Sequence, residues 1–100
     1  MPKLNITFPH SLGQEQAVQR LKGQFSAIKE AYQDEISTLE ERWSDAAMNF
    51  RLITRGATVT GDVNVEPTAV NVDVQLPLIA MIFKGKIESR IRERLAEILA

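Results

Sequence analysis

The sequence has no cysteine. That excludes disulfides, thiolate metal sites and cysteine nucleophiles together, and it leans towards a reducing compartment. There is one histidine, so no imidazole cluster can form. No excess of positive charge exists either: 12 Lys and Arg against 13 Asp and Glu give a formal net charge of −1. A nucleic-acid partner, which needs a basic field, is therefore not expected. No apolar run approaches the ~20 residues of a membrane span. The opening stretch MPKLNITFPH lacks the long apolar region of a signal peptide. A cytoplasmic protein is expected.

Catalytic patterns are missing as well. No G-x-S-x-G elbow occurs. The segment FKGKIE falls short of a phosphate loop, because Ala80 and Ile87 stand where Gly and Ser or Thr are needed. The pairs Asp34–Glu35 and Glu40–Glu41 are adjacent in sequence, so in a strand their members point to opposite faces, a poor arrangement for shared acid/base or metal work. His10 stands beside Pro9 with no local partner and reads as a surface or cap-adjacent residue; a general base is the lesser reading. No metal, cofactor or catalytic residue is expected.

What is present is a 100-residue chain, 44% hydrophobic and 25% charged, enough for one domain with one modest core. Charge is uneven along it. Residues 1–33 carry four bases and two acids, residues 34–75 three bases and eight acids, and residues 76–100 five bases and three acids.

Periodicity gives the elements. KLNITF alternates, with Leu4, Ile6 and Phe8 on one face, and predicts a half-buried strand. Ser11 lies three residues before Gln14, a capping-box spacing. One helix is expected to run on to about Tyr32, with Ala17, Val18, Leu21, Phe25, Ile28 and Tyr32 in one stripe. From residue 36 the period falls to two. LEERW, MNFRLIT, ATVTGDVNV and AVNVDVQL predict four strands joined by turns at SDAA, RG and EPT.

Pro77 then stops the last strand, and a second helix continues to the end. Its core stripe is Ala80, Phe83, Ile87, Ile91, Leu95 and Ile98, with Glu88–Arg92 as an i,i+4 pair. Gly23 and Gly85 are expected to permit close helix packing, and Gly61 to mark a bulge or the point where a helix presses closest.

The order β-α-β-β-β-β-α, with one apolar face on every strand, puts both helices on the same side of the sheet. The expected fold is α+β, a two-layer sandwich with a five-stranded, mainly antiparallel sheet. If the first strand pairs with the last, as in helix-grip folds, the strand order is 1-5-4-3-2. The outer face, with Thr58, Thr60, Asp62, Asn64, Asn71, Asp73 and Gln75, suits solvent better than a polar ligand.

One stretch exceeds what a fold requires. In LPLIAMIFKGKIESR, the residues from Leu78 to Phe83 are all apolar, although a core-facing helix needs only a stripe. On a helical wheel Leu78, Met81 and Ile82 lie off the core axis. They either pack under the first helix or beside the last strand, or they form an exposed patch next to Lys84 and Lys86 that contacts a partner protein, a second copy or a lipid-like surface. Burying each such side chain is worth roughly 1.5–3 kcal/mol.

Two motifs, PHSLGQEQA (Pro9–Ala17) and LPLIAMIFKGKIE (Leu76–Glu88), flank a four-strand meander that contains LEERW. Together they resemble the bacterial polyhydroxyalkanoic acid system protein family over essentially the whole chain. The second motif is the more specific. Ile82 stands where many relatives have proline, and SDAA replaces a Gly-Asp type of turn. The resemblance implies a place in polyester storage metabolism, by genetic neighbourhood, and for some relatives an association with granule surfaces; it implies no catalytic residues.

The expected function is a non-enzymatic accessory protein of polyhydroxyalkanoate metabolism. Its partner is expected to be the granule surface or a granule-associated protein, met through Leu78, Met81, Ile82, Lys84 and Lys86. The same patch suits a homodimer. The alternative is a small carrier of a hydrophobic, lipid-like ligand, with a cavity between sheet and C-terminal helix. A pocket of at least ~300 Å³ would favour it.

Overall fold

The computed structural model describes residues 3–100; the first two residues of the MPKLNITFPH stretch lie outside them. The strands are β1 (Lys3–Pro9), β2 (Ile36–Ser44), β3 (Ala47–Thr54), β4 (Ala57–Val65) and β5 (Ala69–Gln75). The helices are α1 (Gln14–Lys22), α2 (Gln24–Ala31) and α3 (Lys84–Ile98), the last preceded by a 3₁₀ segment, Leu78–Phe83. The sheet is antiparallel in the order β1-β5-β4-β3-β2, the order expected from pairing the first strand with the last.

Strand alternation decides the layers. Leu4 and Ile6 of β1, Val70, Val72 and Val74 of β5, Val63 and Val65 of β4 and Met48 of β3 are buried on the face that the helices cover. Ala17, Val18 and Leu21 descend from α1, and Leu95 from α3. Leu76 and Leu99 complete the buried set. Arg20 of α1 donates to the carbonyls of Ile98, at 3.2 Å, and of Ala100, tying the end of the α3 segment to α1.

The turns follow local chemistry. Arg55 and Gly56 both have positive φ, 49° and 80°, and close the β3–β4 hairpin as a two-residue loop of the primed kind, whose twist matches the strands. Asp45, φ 55°, serves the β2–β3 turn; aspartate tolerates that region better than most side chains. The edge strand β2 has a register irregularity between Ile36 and Thr38 and carries Glu40, Glu41 and Arg42, features that discourage edge-to-edge pairing.

Four expectations are corrected. The first helical segment is two helices, not one, because the chain breaks at Gly23, a residue with poor helix propensity. Tyr32 consequently ends α2 and is 47% exposed instead of joining the stripe. The capping box does not form: Gly13 is the N-cap residue, and the Gln14 amide reaches across to the Val65 carbonyl, 2.8 Å away. Gly23 and Gly85 have no neighbour within 4 Å of an added Cβ, so neither serves close packing.

At Gly61 the register is regular, and no helix presses on it. The ring of Phe50, its cross-strand partner, lies where a Cβ would be, 2.5 Å from that position. Phe50 in turn meets Phe25 of α2 at 5.7 Å between ring centres. Glycine here lets an aromatic ring lie flat on the sheet and carry α2.

Candidate functional site

The Leu76–Lys86 junction is where local structure departs furthest from what folding favours. Pro77, at φ −65° and ψ 153°, holds the chain extended. It accepts the first 3₁₀ bond, from the Ala80 N–H at 2.9 Å. Three residues per turn then stack i on i+3. Leu78 with Met81 makes one ridge, Ile79 with Ile82 a second, and Ala80 with Phe83 a third. Only Ala80 packs on the core.

The rest face outwards. Leu78, Ile79 and Ile82 are 80, 78 and 81% exposed, Phe83 54% and Met81 40%. None of the three predicted patch residues is buried beneath α1 or the end of β5. Phe83, expected in the core stripe, belongs with the exposed set, and so does Ile79. Phe83 was placed in the stripe by a wheel drawn at ~100° per residue, which does not apply through a 3₁₀ segment; Ile79 had been given no face.

The start of α3 adds two further features. Phe83 occupies its N-cap position, with no side-chain cap bond. Its first turn contains no acid, while Lys84 and Lys86 stand at the positive end of the helix dipole, the unfavourable location for a cation. The opposite end of α3 buries Leu95 and is anchored through Arg20.

The other candidates are of a different kind. His10 is held on both ring nitrogens: the Leu12 N–H donates to Nδ1 at 3.2 Å, and Nε2 lies 3.0 Å from the Glu66 carbonyl. With Nδ1 accepting, Nε2 carries the proton. His10 thus pins the β1–α1 connection to the β4–β5 turn, a structural duty.

The outer sheet face carries an open cleft of about 460 Å³ bordered by Arg42, Asn49, Asp62, Asn64 and Asp73. Polar groups on the same face bond one another, Asp73 of the cleft border among them. Asn5 donates to Asp73, Thr7 donates to Asn71 at 2.8 Å, and Asn71 donates to Glu66. Asp62 and Asp73 are direct cross-strand partners, a like-charge pairing that weakens a sheet. Among the described residues no group of three or more His, Cys, Asp or Glu could hold a metal ion.

Between sheet and helices lies an apolar slot of about 160 Å³, lined among others by Phe25, Ile28, Phe50, Ile91 and Leu95. It sits where the carrier alternative expects a cavity, but at roughly half the ~300 Å³ at which ligand pockets begin.

Fold and site together define a small open-sheet α+β domain whose distinctive surface is an apolar 3₁₀ turn flanked by lysines. The family model described as "Putative polyhydroxyalkanoic acid system protein" matches residues 4–99, nearly the whole chain, and the chain belongs to that family. No curated protein matches it in sequence. Among the described residues no helix is long and apolar enough to cross a membrane.

Proposed function

We propose that this chain is a non-enzymatic accessory protein of polyhydroxyalkanoate metabolism that works in the cytoplasm and adheres to the storage-polyester granule through the Leu78–Lys86 surface. The family supplies the metabolic setting. The observation that carries the contact reading is the concentration of unfavourable local choices in nine residues: five exposed large apolar side chains, a helix start with no side-chain cap and two lysines against the dipole. Local conflicts with foldability gather where function demands them.

The chemistry suits an apolar surface with anionic groups on it. Leu78, Ile79 and Ile82 would enter the surface, each worth roughly 1.5–3 kcal/mol when fully buried. Lys84 and Lys86 would stay at the boundary, with their stems apolar and their ammonium groups in water. A 3₁₀ turn suits this task because it presents two ridges side by side, whereas the amphipathic stripe of an α-helix would hide one of them.

Co-sedimentation with purified polyhydroxyalkanoate granules tests the proposal. Wild type should pellet with granules, and Leu78→Ser/Met81→Ser/Ile82→Ser should remain in the supernatant while staying folded. No wild-type binding, together with a wild-type dimer that the triple variant dissociates, would overturn the granule reading and make the patch a homodimer interface.

A further inference from the structure

We infer that the slot between α2 and α3 is a binding site for a single unbranched carboxylic acid of about six carbons, its chain in the slot and its carboxylate on Arg94. The slot exists because α2 stands off. α1 buries three residues and α2, beyond the break at Gly23, none, while Arg20 keeps α1 and the end of α3 together. The apolar faces of α2 and α3 therefore do not close on each other. Phe25 and Ile28 on one side and Ile91 and Ile98 on the other stay half-buried, with Phe50 and Val74 as the floor.

Size sets the chain. At about 160 Å³ the slot is close to the ~150 Å³ apolar cavity that stays dry and takes up benzene, a six-carbon hydrocarbon. The slot is lined by carbon, and Arg94, an exposed residue, borders it with its aliphatic stem. A wider groove of about 270 Å³ continues outwards past Ile28, Tyr32, Arg90 and the same Arg94.

Charge sets the head group. On α3, Arg94 lies only about 40° and 60° around the helix from Ile98 and Ile91, at ~100° per residue. It is the charged residue nearest the slot. Glu93 and Glu97 also border the outer groove, but they sit further round the helix. Among the described residues the ion pairs are Arg55–Glu35 and Arg92–Glu88, so Arg94 has no carboxylate of its own. A guanidinium matches a carboxylate in a two-pronged geometry that an alcohol or amine cannot reproduce. Gln24 is the other polar side chain of the lining.

This inference does not depend on the granule surface, since the slot and the 3₁₀ patch share no residue; either can fail alone. The test is an NMR titration of isotope-labelled full chain with hexanoate, and in parallel with 1-hexanol. Hexanoate should give saturable shifts at Ile28, Ile91 and Leu95, and should bind roughly two- to fivefold more tightly than hexanol, as an exposed guanidinium–carboxylate pair allows. Arg94→Gln, at an exposed position, should bring hexanoate down to the level of hexanol without moving hexanol itself, and Arg94→Lys should restore part of the difference. Absence of saturable shifts in a folded protein overturns the site. Equal binding of acid and alcohol, or no effect of Arg94→Gln, overturns the assignment of a carboxylate ligand.

Discussion

The two ends of the helical segment from Leu78 to Leu99 follow opposite rules. At the far end Leu95 and Leu99 are 6% exposed, Ile98 packs against the same core, and Arg20 ties the last turn to α1. At the near end five large apolar side chains face outwards, no side chain caps the helix, and the dipole meets cations. One end is explained by the fold. The other lowers stability unless something outside the chain covers it, which is why the function is read from the near end.

Substitutions at the two ends test this contrast. The largest effect belongs to the far end: Leu95→Ala should cost about 2–5 kcal/mol through lost burial and a residual cavity, measured by chemical denaturation. His10→Ala should come next, at about 1–3 kcal/mol, because it removes both side-chain bonds of His10 and leaves the backbone bond to the Thr68 carbonyl. Neither variant should change granule binding by the molecules that remain folded.

At the near end the sign should reverse. Lys84→Glu and Lys86→Glu should each raise stability by about 0.3–1 kcal/mol, by placing an acid at the start of α3, yet weaken granule binding. Destabilisation by either would show that these lysines serve the fold. Smallest of all, Ile82→Ser should alter stability by less than about 0.5 kcal/mol while reducing co-sedimentation. A loss of 2 kcal/mol or more, on the scale of a large core truncation, would mean that Ile82 is covered by the chain itself and would dissolve the contrast.

Much of the fold was legible because strands have a period of two and the apolar set is unambiguous. Val70, Val72 and Val74 alternate with Asn71, Asp73 and Gln75, and one glance at that pattern fixes the face. The sheet order followed from pairing β1 with β5. What escaped were features set by tertiary context or by a different helical pitch. Nothing near Ser11 announces that Gln14 will prefer the Val65 carbonyl to its own helix end. Gly23 looked like a packing glycine, and only the lie of α2 shows it as a break. Phe83 has the right α-helical spacing from Ile87 for a core position, but three-residue winding carries it outwards.

The site was partly legible. Leu78, Met81, Ile82, Lys84 and Lys86 stood out by excess hydrophobicity and by their place on the wheel. Ile79 was given no face, although it belongs to the exposed set. The slot was invisible in sequence, since Phe25, Ile28, Ile91 and Ile98 read as ordinary core. It shows only in how α2 and α3 stand over the sheet, which no periodicity encodes.

The lack of cysteine makes the most direct test simple. A single cysteine in place of Ile82 can carry a polarity-sensitive fluorophore, and Thr58→Cys on the outer sheet face provides the control. On addition of polyhydroxyalkanoate granules, the probe at position 82 should shift to the blue and become shielded from aqueous quenchers, while the probe at position 58 stays unchanged. Granules that pellet the protein but leave the probe at position 82 in water, or that shield both positions alike, would contradict the account.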